Sequence, residues 1–156
     1  MKIAFTGTQQ GMTEFQKKEL AARLTELNPT EFIHGDCIGA DNEANTIAMQ
    51  VGVKVFHLFP STLGPKRAYC FTPPGPLGSN AWWTYNTGQV IKIETPEAPL
   101  YRNKKIVDEC DMLIACPKEH AHTLRSGTWA TIRYAWKRKK NVLVIPPIVR
   151  EDTDDV

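Results

Sequence analysis

The residues able to do chemistry gather in a few short stretches. Phe32 to Asp41 reads Phe-Ile-His-Gly-Asp-Cys-Ile-Gly-Ala-Asp. An apolar run stops at His34, Gly35 and Gly39 break the backbone, and a helical pattern follows. A strand that ends in a glycine turn and opens a helix offers unbonded N–H groups at the positive end of the helix dipole, which suits a phosphate or another anion. A similar turn, Gly7-Thr8, ends the first apolar run, and Ser126-Gly127-Thr128 opens a later helix. Gly7, Thr8, Gly35, Ser126, Gly127 and Thr128 are therefore candidates to hold phosphate through N–H groups and hydroxyls. The plainer reading is that the glycines permit tight turns and Thr128 caps a helix.

Other side chains extend this set. Arg102 has the fork geometry for a bidentate grip on phosphate or carboxylate, and Asn103 beside it suits a ribose or base. Asp41 can accept a ribose hydroxyl or bond free N–H groups of its own helix start. Asp36 can act as a general acid or base, or simply cap a helix. A carboxylate there would repel phosphate unless a cation or proton offsets it. His120 and His122 fall in a polar loop, where the expectation is no metal site. Cys37, Cys70, Cys110 and Cys116 form no Cys-x-x-Cys pair, so free thiols are expected rather than zinc ligands or disulfides.

These groups need a scaffold. Lys2–Thr6 reads as a buried strand, and Thr13 as the N-cap of a helix with Phe15, Leu20, Leu24 and Leu27 on one face. Glu31–His34 is a second strand, followed by a helix ending at Gly52. Val53–Phe59 is a third strand. Tyr101–Cys110 is a helix, Asp111–Ala115 a fourth strand, and Asn141–Ile145 a fifth, buried strand after a helix through Trp136. The basic run Lys137–Lys140 complements the end of that helix. The alternation predicts an α/β fold: a Rossmann-like open parallel sheet of about five strands with helices on both faces. Its ligand cleft should lie beyond the carboxyl ends of the strands, where three glycine turns converge.

Residues 61–99 interrupt the pattern between the third strand and the following helix. A structureless loop of that length is unusual in a compact domain, so an insertion with local structure is expected, including a short strand or hairpin arm at Val90–Glu94. Trp82 and Trp83 either glue it to the domain or form a lid with aromatic faces for a planar base. The reading is one domain over residues 1–150 and a flexible acidic tail over 151–156.

With 156 residues, the chain can bury a proper core. A net charge of +2 gives no argument for a nucleic-acid partner. No apolar run is long enough to span a bilayer, and the first residues lack a signal-peptide pattern. The expectation is a cytoplasmic protein with no membrane partner.

Four segments together resemble the SLOG superfamily, which includes the DNA-processing protein A and lonely-guy phosphoribohydrolase families, and within it the small bacterial and phage YspA-like (DUF2493) group. Met1–Gly7 looks like that group's opening strand and Thr-Gly turn. His34–Asp41 is similar to its His-Gly-x-x-x-Gly-Ala-Asp signature. Tyr101–Val107 resembles its Arg-Asn helix start, and Ser126–Thr128 its Gly-Thr helix opening. The resemblance implies binding of a nucleotide or nucleotide-derived ligand in the cleft, as a sensing or sequestering module, and relatives often form homo-oligomers. It names no certain cofactor beyond such a nucleotide.

The alternative implied is an enzyme that cleaves a nucleotide N-glycosidic bond, with Arg102 and a carboxylate such as Asp36 or Glu43 at work. The lonely-guy glutamate is not matched, because Trp129, Ala130 and Thr131 follow Gly127-Thr128. Of the two glycines expected before Gly127-Thr128, one place holds Ser126 and the other Arg125. Asp36 stands where relatives commonly have glycine. A third alternative, single-stranded DNA binding, would need a basic face.

Overall fold

The computed structural model describes residues 1–75 and 81–148. The expected tail at 151–156 and positions 76–80 of the insertion lie outside the described residues. Strands and helices alternate as β1 (Lys2–Gly7), α1 (Glu14–Leu27), β2 (Glu31–His34), α2 (Ala40–Gln50), β3 (Val55–Leu58), β4 (Trp83–Thr84), β5 (Val90–Ile93), α3 (Pro99–Glu109), β6 (Met112–Cys116), α4 (Gly127–Lys137) and β7 (Asn141–Val144). One sheet runs in the order β4-β5-β3-β2-β1-β6-β7. Every pairing is parallel except that of β4 with β5.

Alternation along the strands sends successive side chains to opposite faces. Ile3 and Phe5 join Phe32, Phe56 and the α1 and α2 residues Leu20, Leu24, Ala44 and Ala48 in one core cluster. Ala4 and Ile33 face the other way, toward Ile106, Val107 and Ala135 of α3 and α4. Helices thus cover both faces, as expected. Among the described residues, no helix is long and apolar enough to cross a membrane.

Among the described residues the sheet has seven strands rather than about five. Both additions come from the insertion, whose Val90–Ile93 continues the sheet beside β3 and pairs with Trp83-Thr84 as a hairpin. Phe71 anchors the same insertion, with its ring 5.4 Å from Phe56 and 5.2 Å from Tyr85. Trp83 packs on the main core. Trp82 lies 5.4 Å from His57, and neither tryptophan lines the cleft described below. Trp83 thus fastens the insertion to the domain. β7 is also corrected: it is an edge strand, and Asn141–Val144 are exposed or only half-buried.

Local chemistry sets the element ends. Thr13 and Gln16 cap α1 reciprocally, each side chain accepting from the other's backbone N–H. The buried Gln16 amide also donates to Pro117 O at 2.8 Å and Ile145 O at 3.0 Å, which ties α1 to the ends of β6 and β7.

Candidate functional site

Chain order reverses beside β1: β2 lies on one side of it and β6 on the other. Loops leaving the carboxyl ends of β1 and β6 therefore diverge and leave a crevice. A cleft of about 520 Å³ occupies it, a size ordinary for small-molecule sites. Its walls come from Gly7–Gln10, the Gly35–Asp41 turn, the start of α3 and the Lys118–Thr128 segment.

Of the predicted ligand residues, Gly7, Thr8, Gly35, Asp41, Arg102, Asn103, Ser126, Gly127 and Thr128 all line this cleft. The three glycine turns do converge. Ser126 caps α4 by accepting from Trp129 N at 3.2 Å. The first N–H groups of α4, on Gly127 and Thr128, have no carbonyl one turn earlier to bond. They form the positive pole of the site.

Asp36 is the exception. Its side chain is fully buried and absent from the cleft wall. Its carboxylate accepts from Arg67 Nε at 3.0 Å and from Cys70 N at 2.9 Å, which clamps the insertion to the β2–α2 turn. The backbone there is left-handed, with φ 54°. The expected acid–base role therefore has no support in the geometry: the carboxylate is spent on Arg67. Glu43 is likewise outside the cleft wall, accepting from Met12 N at 2.6 Å and pairing with Lys17 at 3.3 Å.

Arg102 is buried, and its role differs from the one expected. Nη1 donates to Gly35 O at 2.7 Å and Phe59 O at 3.0 Å. Nε donates to Asn103 Oδ1 at 2.7 Å, and Nη2 reaches Cys37 Sγ at 3.4 Å. The guanidinium is thus a strap across the ends of β2 and β3. With Nε and Nη1 bonded to protein oxygens and Nη2 against Cys37, the guanidinium is not presented as a free fork for a bidentate grip. Gly35 makes room for the strap, since a Cβ there would sit 2.4 Å from Nη1. Gly39 is fixed differently: φ is +82°, and a Cβ would sit 2.2 Å from the backbone carbonyl oxygen of Gln9.

His34 orients the turn from below. Its Nδ1 accepts from Asp36 N at 2.9 Å, so Nε2 carries the hydrogen and donates to Asn45 Oδ1 at 2.8 Å. Asp41 accepts from Gly35 N at 3.1 Å and Cys37 N at 3.3 Å. Burial raises its carboxyl above the ordinary carboxylate range, although the Arg102 charge and these N–H groups pull it down. A carboxyl whose folded value is raised favours folding when protonated, so this contribution fades as pH rises above the unfolded value. Asp41→Asn should therefore gain stability relative to the parent at neutral pH, and the gain should vanish near pH 3. Urea midpoints measured across that range check the slope.

Cys37 lies at the edge of the site. Burial raises its thiol, Asp41 adds to this, and Arg102 opposes it. That environment does not make a nucleophilic thiolate at neutral pH. Burial also pushes Cys110 up to about 11. All four cysteines are free, as expected.

Several cleft residues were not anticipated. Lys118, Glu119, Thr123 and Arg125 come from the loop after β6, and Gln9 and Gln10 from the first turn. Glu119 Oε1 is buried with no hydrogen-bond partner among the described residues. The one available signal was position, because a polar loop leading directly into a glycine-opened helix must border the crevice.

No family model and no curated protein matches this sequence. Solved structures do resemble it in fold. DNA processing protein A from Streptococcus pneumoniae superposes with a TM-score of 0.62 at 19% identity, over 99% of this chain and 53% of that one. This chain thus spans about half of that protein. TM1055, a structural genomics target, gives a TM-score of 0.57 at 12% identity, over 90% of this chain and 71% of that one. At these identities the likeness concerns architecture alone, and it agrees with the arrangement seen here: the chain has a Rossmann-like α/β fold.

Proposed function

We propose that the cleft binds a nucleotide or a nucleotide-derived ligand, as a sensing or sequestering module. The observation that carries this reading is the composition of the wall around the α4 N-terminus. Gly127 and Thr128 supply N–H donors for a phosphate, and Lys118, Arg125 and Arg102 supply positive charge nearby. Asp41 and Glu119 add acceptors on the same wall. An inorganic anion needs only the donors. A nucleotide also carries ribose hydroxyls and base amino groups, which need acceptors.

Gly127 gives a clean test. It is exposed at the first position of α4, and a Cβ there meets nothing within 4 Å. An aspartate is favourable at a helix start, so Gly127→Asp should fold normally. Its carboxylate would lie where the phosphate binds. Titration calorimetry with a panel of nucleoside mono- and diphosphates should show binding to the parent and a loss of about tenfold or more in the variant, on the scale of one charge–charge term. Equal affinity in both proteins would overturn the phosphate assignment. Tighter binding of single-stranded oligonucleotides, with a steep salt dependence, would favour the DNA reading instead.

A second reading rests on Glu119. A buried carboxylate oxygen without a partner in a cleft has the setting of a general acid–base group. In N-glycosidic hydrolysis it would take a proton from water as the water oxygen bonds to the anomeric carbon. The bond to the base breaks with its electron pair going to the base nitrogen, and Glu119 passes the proton it took from water to the departing base. Release of free base by the parent, lost in Glu119→Gln, would establish the enzyme. An intact nucleotide retained without turnover would rule it out.

A further inference from the structure

A second polar cluster among the described residues gathers beside the carboxyl end of α3. Glu31 opens β2, His57 sits in β3 and Glu109 ends α3. Side chains two apart on a strand share a face. Ile33 is the register partner of His57, so Glu31 falls on the same side of the sheet as that histidine, the side covered by α3. One ligating atom from each of Glu31, His57 and Glu109 lies within 4.8 Å of the others. Arg102 and Glu109 lie seven residues apart on α3, or about 10 Å of helix, so this cluster is distinct from the cleft.

Two of these groups are buried and face each other. His57 Nδ1 and Glu31 Oε2 have no hydrogen bond among the described residues. Their side chains are only 6% and 10% exposed. With a neutral ring these two acceptors have no hydrogen between them, at a cost of about 1–3 kcal/mol each, and a cation shared by both would satisfy them. The two atoms are 3.4 Å apart. Ligand atoms around a tetrahedral ion with bonds of about 2.0–2.2 Å stand roughly 3.3–3.6 Å apart. The spacing therefore fits a shared cation.

The other nitrogen of His57 is already committed. Nε2 lies 2.6 Å from Glu94 Oε2, and because a carboxylate only accepts, Nε2 carries a hydrogen while Nδ1 faces Glu31. A metal-bound histidine characteristically donates its second N–H to a carboxylate in this way. The ring is held by Phe59, with centroids 4.3 Å apart, and by Trp82 at 5.4 Å. Lys92 steadies Glu94 from 3.4 Å. Glu109 is the adaptable arm: its side chain is 41% exposed and pairs with Lys2 at 3.4 Å. Lys2 is thus the cation an incoming metal would displace.

We infer that Glu31, His57 and Glu109 form a binding site for one divalent transition-metal ion, with Glu94 as the carboxylate behind the histidine. One imidazole and two carboxylates suit zinc or its first-row neighbours better than magnesium, which prefers oxygen ligands and water. Three protein ligands leave a coordination position for water. The site joins β2, β3 and α3, so its expected role is to pin α3 and the insertion strand β5 to the sheet.

Calorimetric titration of the full chain with zinc chloride alone should show a site that Glu109→Gln weakens about tenfold or more. That substitution is at an exposed helix end and does not threaten folding. Glu94→Gln should weaken it about 10- to 100-fold without removing a ligand. Adding zinc should shift the Nδ1 resonance of His57 in nitrogen-15 spectra, while magnesium should not. An unmoved His57 ring at saturating zinc, or unchanged affinity in Glu109→Gln, would overturn the site. The cluster would then be a protonated histidine held between two carboxylates.

Discussion

Replacing Asp36 with alanine is expected to lower the unfolding free energy by about 3–5 kcal/mol, the usual cost of removing one member of a buried ion pair. Asp36 is fully buried and the Arg67 side chain only 9% exposed. Without the carboxylate, the guanidinium keeps its stacking on Tyr69, at 4.5 Å, but loses its counter-charge. Cys70 N loses its acceptor as well. Asp36→Gly should be less damaging than Asp36→Ala by about 1–2 kcal/mol, because the φ of 54° costs glycine nothing. Urea unfolding of the three proteins measures both differences. The folded variants should keep most of their affinity for a cleft ligand, since the carboxylate lies outside the cleft wall. A selective loss of binding or turnover with stability unchanged would restore the catalytic reading of Asp36.

Arg102→Met should act on both stability and binding. It strands the carbonyls of Gly35 and Phe59, which Arg102 now bonds in a buried setting. At about 1–3 kcal/mol for each of the two orphaned groups, the expected loss is about 2–6 kcal/mol. The Gly35 turn borders the cleft, so ligand affinity should fall with it. Arg102→Lys should recover part of the stability through one ammonium but not the full strap. Gly127→Asp provides the contrast: it should lose affinity while its urea midpoint stays put. If Arg102→Met unfolds at the parent's midpoint, the strap is not what holds the β2 and β3 ends together.

The local grammar of the chain was readable in advance. Thr13 announced the start of α1, and Gly52, with φ +95°, the end of α2. Alternating apolar strands and amphipathic helices specified the parallel sheet. Convergence of the three turns followed from topology, because parallel strands put all their carboxyl ends on one edge. The insertion was less legible. Short pieces such as Trp83-Thr84 carry too few residues to show a period, and their pairing with β5 exists only once the sheet supplies an edge.

Side-chain direction was the other hidden quantity. From sequence, Asp36 and Asp41 looked like equal candidates at one turn. Only the fold separates them, since a left-handed backbone at Asp36 turns its carboxylate toward an arginine 31 positions later. Arg102 looked free to bind a ligand until β2 and β3 brought two carbonyls to it. Glu31, His57 and Glu109 had no motif at all, being separated by 26 and 52 residues. By itself the sequence determined the elements, their caps and the edge on which a cleft must form, because these depend on contacts within a few residues. The tertiary structure decided which charged groups face that cleft, which are spent inside the protein, and which meet in a second cluster, because burial and pairing depend on neighbours that only the sheet brings together.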